Sequence, residues 1–127
     1  MAFMLKIRWE ISPGKVADFQ RNQQALAHVM LEHPGVIAYH AEYPAEGVSE
    51  WVEIYATDAA FRAHLENSKG KAPLAALVGD CDRIVCRCFG EPDAASREIL
   101  KGFGTSYHAT APEAFVLNPR ADRDSPV

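Results

Sequence analysis

Phe3, Leu5, Ile7, Trp9 and Ile11 alternate with Met4, Lys6, Arg8 and Glu10, a period of two that predicts a strand with one buried face. Ser12-Pro13-Gly14 then predicts a helix start, with Ser12 as N-cap and Pro13 in the first turn, where its missing N–H leaves nothing unsatisfied. Val16, Phe19, Leu26 and Met30, with Ala27 and Leu31 alongside, repeat at helical spacing. Pro34-Gly35 stops that helix at about residue 33. A strand over residues 36–43, a hairpin loop at Pro44-Ala45-Glu46-Gly47 and a strand over residues 50–56 follow. Thr57 or Asp58 caps an amphipathic helix that Gly70 closes, residues 72–78 form a short helical piece, and a fourth strand runs over residues 81–89. Beyond it, Asp93 caps a helix over residues 94–101 that ends at Gly102. Residues 105–117 carry Tyr107, Phe115, Val116 and Leu117, too apolar for a disordered tail, and are expected to dock; residues 120–127 are polar and expected to fray.

The order β-α-β-β-α-β is the ferredoxin-like, split βαβ arrangement, an α+β fold with an antiparallel sheet and both helices on one face. Two units are expected: residues 1–90 as the ferredoxin-like domain and residues 91–127 as a C-terminal extension. Leu5, Ile7, Trp9, Val52, Ile54, Ile84, Cys86 and Cys88 form the face expected beneath the helices. The other face is then expected to carry Lys6, Arg8, Glu10, His40, Glu42, Trp51, Glu53, Tyr55, Arg83, Val85 and Arg87. On a solvated face, Arg8 and Glu53 would be an ordinary cross-strand pair. Two large rings fit an open face poorly, so a second copy of the chain is expected to cover it as a homodimer and enclose a polar-aromatic cavity.

Composition narrows the function classes. The chain has 127 residues, 48% hydrophobic and 24% charged, with a net charge of −4, which suits one globular domain. Mild acidity without a Lys/Arg block gives no footprint for nucleic acid, and no apolar run approaches the roughly 20 residues of a membrane helix. The alternating pattern begins without a basic, apolar leader, so no signal peptide and a cytoplasmic address are expected. Cys81, Cys86 and Cys88 have no zinc-ligand spacing and read as buried apolar thiols.

Pro13-Gly14-Lys15 opening the first helix, His33-Pro34-Gly35 closing it, and Glu53-x-Tyr55 followed by Ala60-x-x-x-His64 resemble the antibiotic biosynthesis monooxygenase (ABM) family over residues 3–89. The resemblance implies a dimeric α+β barrel. It also implies, for some members, cofactor-independent oxygenation of quinols or polycyclic aromatic polyketides, while many members have no demonstrated activity. Longer relatives use an extension such as residues 91–127 across the dimer. A haem-degrading branch of the superfamily uses a first-strand asparagine, a tryptophan on the second helix and a histidine ligand. Here Ile7 and Arg8, His64 and Leu74 stand near those places, which disfavours haem chemistry.

Oxygenation without metal or flavin makes the substrate the reductant: a phenol or hydroquinone is deprotonated and its anion passes an electron to O2. Such a site needs a base that titrates near neutrality, a donor for the anion and a dry pocket. His64 and His40 are candidate bases and Arg8 a candidate anion holder. Trp51 and Tyr55 are candidate stacking residues for a small aromatic molecule, and Glu53 a candidate orienting group. No cofactor or metal is expected. His64 lies at the flank of the Phe61/Leu65 stripe, a place that fits a polar edge residue as well as a cavity residue. A non-catalytic ligand-binding dimer and a mainly structural dimer, its inner face filled by its own side chains, remain alternatives; a structure with no cavity larger than a few waters would support the last and rule out the other two.

Overall fold

The computed structural model describes residues 2–111 and 114. The elements are β1 (Phe3–Ile11), α1 (Val16–Met30), β2 (Val36–Ala45), β3 (Val48–Tyr55), α2 (Asp58–Glu66), α3 (Ser68–Gly79), β4 (Cys81–Phe89), α4 (Ala94–Lys101) and β5 (Ser106–His108). The sheet order is β2-β3-β1-β4-β5. The first four strands pair antiparallel, with β1 and β3 central, as expected. β5 adds parallel to β4, so the five-stranded sheet is mixed and open. Residues 115–117 and 120–127, expected to dock and to fray, lie outside the described residues. Among the described residues no helix is long and apolar enough to cross a membrane.

Several boundaries differ from the sequence reading, each for a local reason. Ser12 does not cap α1. It opens a tight turn in which the Lys15 N–H donates to the Ser12 carbonyl at 3.1 Å and Gly14 takes φ 80°, the positive value that a Pro-Gly turn requires. The Ser12 hydroxyl instead donates to Asp82 Oδ1 at 2.6 Å. The second helical stretch breaks at Asn67 rather than at Gly70. Asn67 is extended, and its side chain caps α3 by accepting from the Lys69 N–H at 3.0 Å. Gly70 lies buried beside Leu26 and Val29, where α3 crosses α1. Thr57 is the cap of α2, accepting from the Ala60 N–H at 3.1 Å. Gly35 admits α2 at close range, because a Cβ there would lie 2.3 Å from that of Ala60.

The face assignment for β3 is overturned. Register places Phe3 opposite Tyr55, Leu5 opposite Glu53 and Ile7 opposite Trp51, and directly opposed residues of an antiparallel pair share a face. Trp51, Glu53 and Tyr55 therefore lie beneath the helices, at 2%, 5% and 0% exposure. Val52 and Ile54, expected there, face outward beside Lys6 and Met4. Packing explains the choice: burying Trp51 and Tyr55 removes far more apolar surface from water than burying Val52 and Ile54. Trp51 packs against Trp9 with ring centroids 4.8 Å apart and planes tilted by 49°, and Tyr55 contacts Phe61 at 5.1 Å. The Trp51 indole N–H is satisfied by Ser49 Oγ at 2.9 Å.

Candidate active site

β3 carries Glu53 and Tyr55 on its buried face, two residues apart, and the Tyr55 hydroxyl donates to Glu53 Oε1 at 2.7 Å. Among the described residues this is the only side-chain hydrogen bond that Glu53 makes, and no cation pairs with it. Burial pushes the Glu53 carboxyl up to about 7, against the lowering effect of the Tyr55 hydroxyl. Tyr55 is held well above its ordinary value by burial and by the adjacent carboxylate, so it remains a neutral donor.

α2 places Phe61, His64 and Leu65 over this pair. His64 is 4% exposed, and its ring lies 6.2 Å from that of Tyr55 and 5.6 Å from that of His33. Its Nδ1 is buried and has no hydrogen-bond partner among the described residues, a state that carries a desolvation penalty and calls for a reason. Burial first, and then His33, push the His64 pKa down to about 4, so the imidazole is neutral at neutral pH. Glu53, Tyr55 and His64 line one cavity together with Trp51, Cys86 and apolar side chains from every helix. Its volume is about 40 Å³, enough for a few water molecules.

The other two expected site residues lie elsewhere. Arg8 sits on the open face and donates to Glu50 Oε1 at 2.7 Å, not to Glu53. His40 is exposed on edge strand β2, with Nε2 3.4 Å from Glu42 Oε2. Both border a shallow recess of about 210 Å³ with Lys6, Glu42, Glu50 and Arg87. The sheet therefore separates Arg8 and His40 from the cavity that unites Glu53, Tyr55, Trp51 and His64. Sequence reasoning missed Cys86, Leu100 and Phe103 as lining residues. Cys86 carried a signal in its position opposite Ile7 on β1; the two α4-side residues carried none without knowledge of where the extension packs. Among the described residues no three His, Cys, Asp or Glu side chains cluster as a metal site would require.

No family model and no curated protein sequence matches the chain. Solved structures do share its fold. A putative antibiotic biosynthesis monooxygenase from Caulobacter crescentus aligns at 24% identity over 72% of this chain and 91% of its own, with a TM-score of 0.63. SnoaB, a cofactor-independent oxygenase from Streptomyces nogalater, aligns at 15% identity over 73% and 95%, with a TM-score of 0.61. MupZ from Pseudomonas fluorescens aligns at 14% identity over 94% and 97%, with a TM-score of 0.65. A 94% share cannot be reached within residues 1–90 of a 127-residue chain, so the likeness to MupZ runs into the extension. These structures share the ferredoxin-like α+β fold expected from the sequence, which in this chain is an open sheet.

Proposed function

We propose that the chain is a cofactor-independent monooxygenase for a small quinol or phenolic substrate, with the reacting group held in the cavity between β3 and α2. The observation that carries this reading is the uncompensated buried carboxyl of Glu53, bonded to Tyr55 and facing the same cavity as the unpartnered His64. A carboxyl poised near neutrality in an apolar chamber is a suitable base for a phenol. Fold likeness to a cofactor-independent oxygenase supports the reaction class by analogy.

Glu53 accepts the phenolic proton while the Tyr55 hydroxyl donates to its Oε1 and fixes its orientation. Neutral His64 offers a hydrogen bond to the phenolate oxygen or to reduced oxygen. The anion gives one electron to O2, recombination of the radical pair forms a carbon–oxygen bond, and Glu53 returns its proton to the peroxide anion. The resulting hydroperoxide loses water, so one oxygen atom enters the product and the other leaves as water. Trp51 forms part of the apolar wall that keeps solvent from these steps. The open sheet face, where half-buried Val52, Ile54 and Val85 lie among charges, is proposed to meet a second copy of the chain. In this assignment Arg8 and His40 belong to that contact rather than to the chemistry.

Oxygen uptake with a panel of hydroquinones and hydroxyanthrones tests the reading. Turnover well above the buffer rate, lost in Glu53→Gln, is expected; no turnover by the wild type would contradict it. The small cavity volume favours a mainly structural dimer, and a non-catalytic ligand-binding dimer is the further alternative to turnover. Ligands that raise the melting temperature and are recovered unchanged by mass spectrometry would support that alternative.

A further inference from the structure

A cavity of about 40 Å³ must open to admit even a single aromatic ring, and its walls are unequally fixed. β1 and β3 are paired on both sides, and α1 packs on α3 where buried Gly70 meets Leu26 and Val29. The wall made by Leu100 and Phe103 comes from the chain beyond Gly90. Leu100 is 1% exposed and packs in the cluster that contains Phe61 and Cys86.

Polar contacts from α2 hold this wall at one end. Arg62 Nη1 donates to Asp93 Oδ1 at 2.7 Å, to Asp93 Oδ2 at 2.8 Å and to Ser96 Oγ at 3.1 Å. The Asp93 N–H donates to Asp58 Oδ1 at 2.8 Å. Asp93 also caps α4 by accepting from the Ser96 N–H at 2.9 Å. The far end of α4 leads through Gly104, at φ 63°, into the three exposed residues of β5. An apolar plug is thus tied down by a partly exposed ion pair and followed by a glycine turn and a short edge strand.

We infer that residues 91–108 are a hinged cover over the cavity, latched to α2 by Arg62 and Asp93, and that its release is the route by which a ligand reaches Glu53 and Tyr55. The inference rests on the reading of the cavity as a ligand site, but the motion is measurable without a ligand. Arg62 holds the Asp93 carboxyl down to about 2, so the latch stays ionised at neutral pH. Salt, rather than pH, is what weakens it there.

Cys86 is a built-in reporter, because it lines the cavity at 4% exposure. Trypsin cuts after Arg83 and Arg87, which puts Cys86 and Cys88 on separate peptides. Burial raises the Cys86 thiol to about 11, so alkylation by iodoacetamide at pH 8.5 is slow enough to follow by peptide mass spectrometry. Arg62→Ala is expected to speed Cys86 alkylation by about two- to fivefold, the range that loss of a partly exposed ion pair allows. Lys69→Ala removes an exposed pair that ties α3 to Glu32 beyond α1 and makes no contact with Arg62 or Asp93, and is expected to leave the rate unchanged. In the wild type, 1 M NaCl should accelerate alkylation; in Arg62→Ala it should not. An unchanged Cys86 rate in Arg62→Ala, or equal acceleration in Lys69→Ala, would overturn the cover. A chain that gates Cys86 as described but consumes no oxygen would keep the cover and lose the catalytic reading.

Discussion

The two faces of the sheet hold similar residue types and treat them in opposite ways. On the open face, Arg8 and Glu50 are each 42% exposed and bonded to each other at 2.7 Å. Water screens both, and the pair contributes a few tenths of a kcal/mol. On the covered face, Glu53 is 5% exposed and its partner is a neutral hydroxyl. Among the described residues its charge has no compensating cation, so the fold bears a desolvation cost that a glutamine would avoid. Charge on the open face is ordinary surface chemistry. Charge on the covered face reduces stability, and its presence there is the reason to place function beneath the helices.

The largest expected contrast between the faces is in packing. Trp51→Ala should destabilise by about 3–5 kcal/mol in denaturant unfolding, whereas Val52→Ala, one residue away on the open face, should cost only about 1 kcal/mol. Equal losses would mean that the register is wrong.

Glu53→Gln comes next and should have the opposite sign. A rise from 4.5 to about 7 corresponds to roughly 3 kcal/mol at pH 8, at about 1.4 kcal/mol per unit. The variant should therefore be more stable than the wild type at pH 8 while losing oxygen uptake. The pH dependence follows from linkage. Between 4.5 and about 7 the folded state binds the Glu53 proton more tightly than the unfolded state, so this group makes stability fall as pH rises. His64, pushed from 6.5 down to about 4, makes stability rise over its own window. The two slopes oppose each other in the wild type. Melting temperatures of Glu53→Gln should rise from pH 4 to 6.5, and a flat profile in that variant would remove the buried-histidine account.

A smaller effect is expected at His64. His64→Leu removes the orphaned Nδ1, so its stability at pH 7 should lie within about 1 kcal/mol of the wild type or above it. Oxygen uptake should still drop. The smallest effect belongs to the open face: Arg8→Ala should shift chemical stability by about 0.5 kcal/mol or less, and any self-association of the proposed dimer, read by sedimentation, should respond more than turnover does.

The strand and helix order was legible because period-two and period-3.6 patterns persist through β1, α1 and β4. The face of β3 was not legible from that strand alone. Both of its alternating sets hold apolar residues, and Glu53 suggested an outward face because buried carboxyls are rare. Trp9 and Phe3 held the missing signal, since aromatic partners on β1 draw Trp51 and Tyr55 to the same side. His64 was legible as a flank residue, and its entry into the cavity depended on the position of β3. Leu100 and Phe103 could not have been foreseen, because an isolated amphipathic helix after Gly90 does not declare which wall it completes. Ser12 misled because serine before proline fits a cap and a turn equally, and Gly14 decided for the turn.

The protonation of Glu53 tests the placement of the site most directly. Carbon-13 NMR of labelled glutamate side chains, assigned by the Glu53→Gln spectrum, follows its δ-carboxyl through pH 3–9. Titration near 7 is expected, moving higher in Tyr55→Phe when the stabilising hydroxyl is lost. Titration near the ordinary 4.5, indifferent to Tyr55→Phe, would put Glu53 in water and contradict a working site beneath the helices.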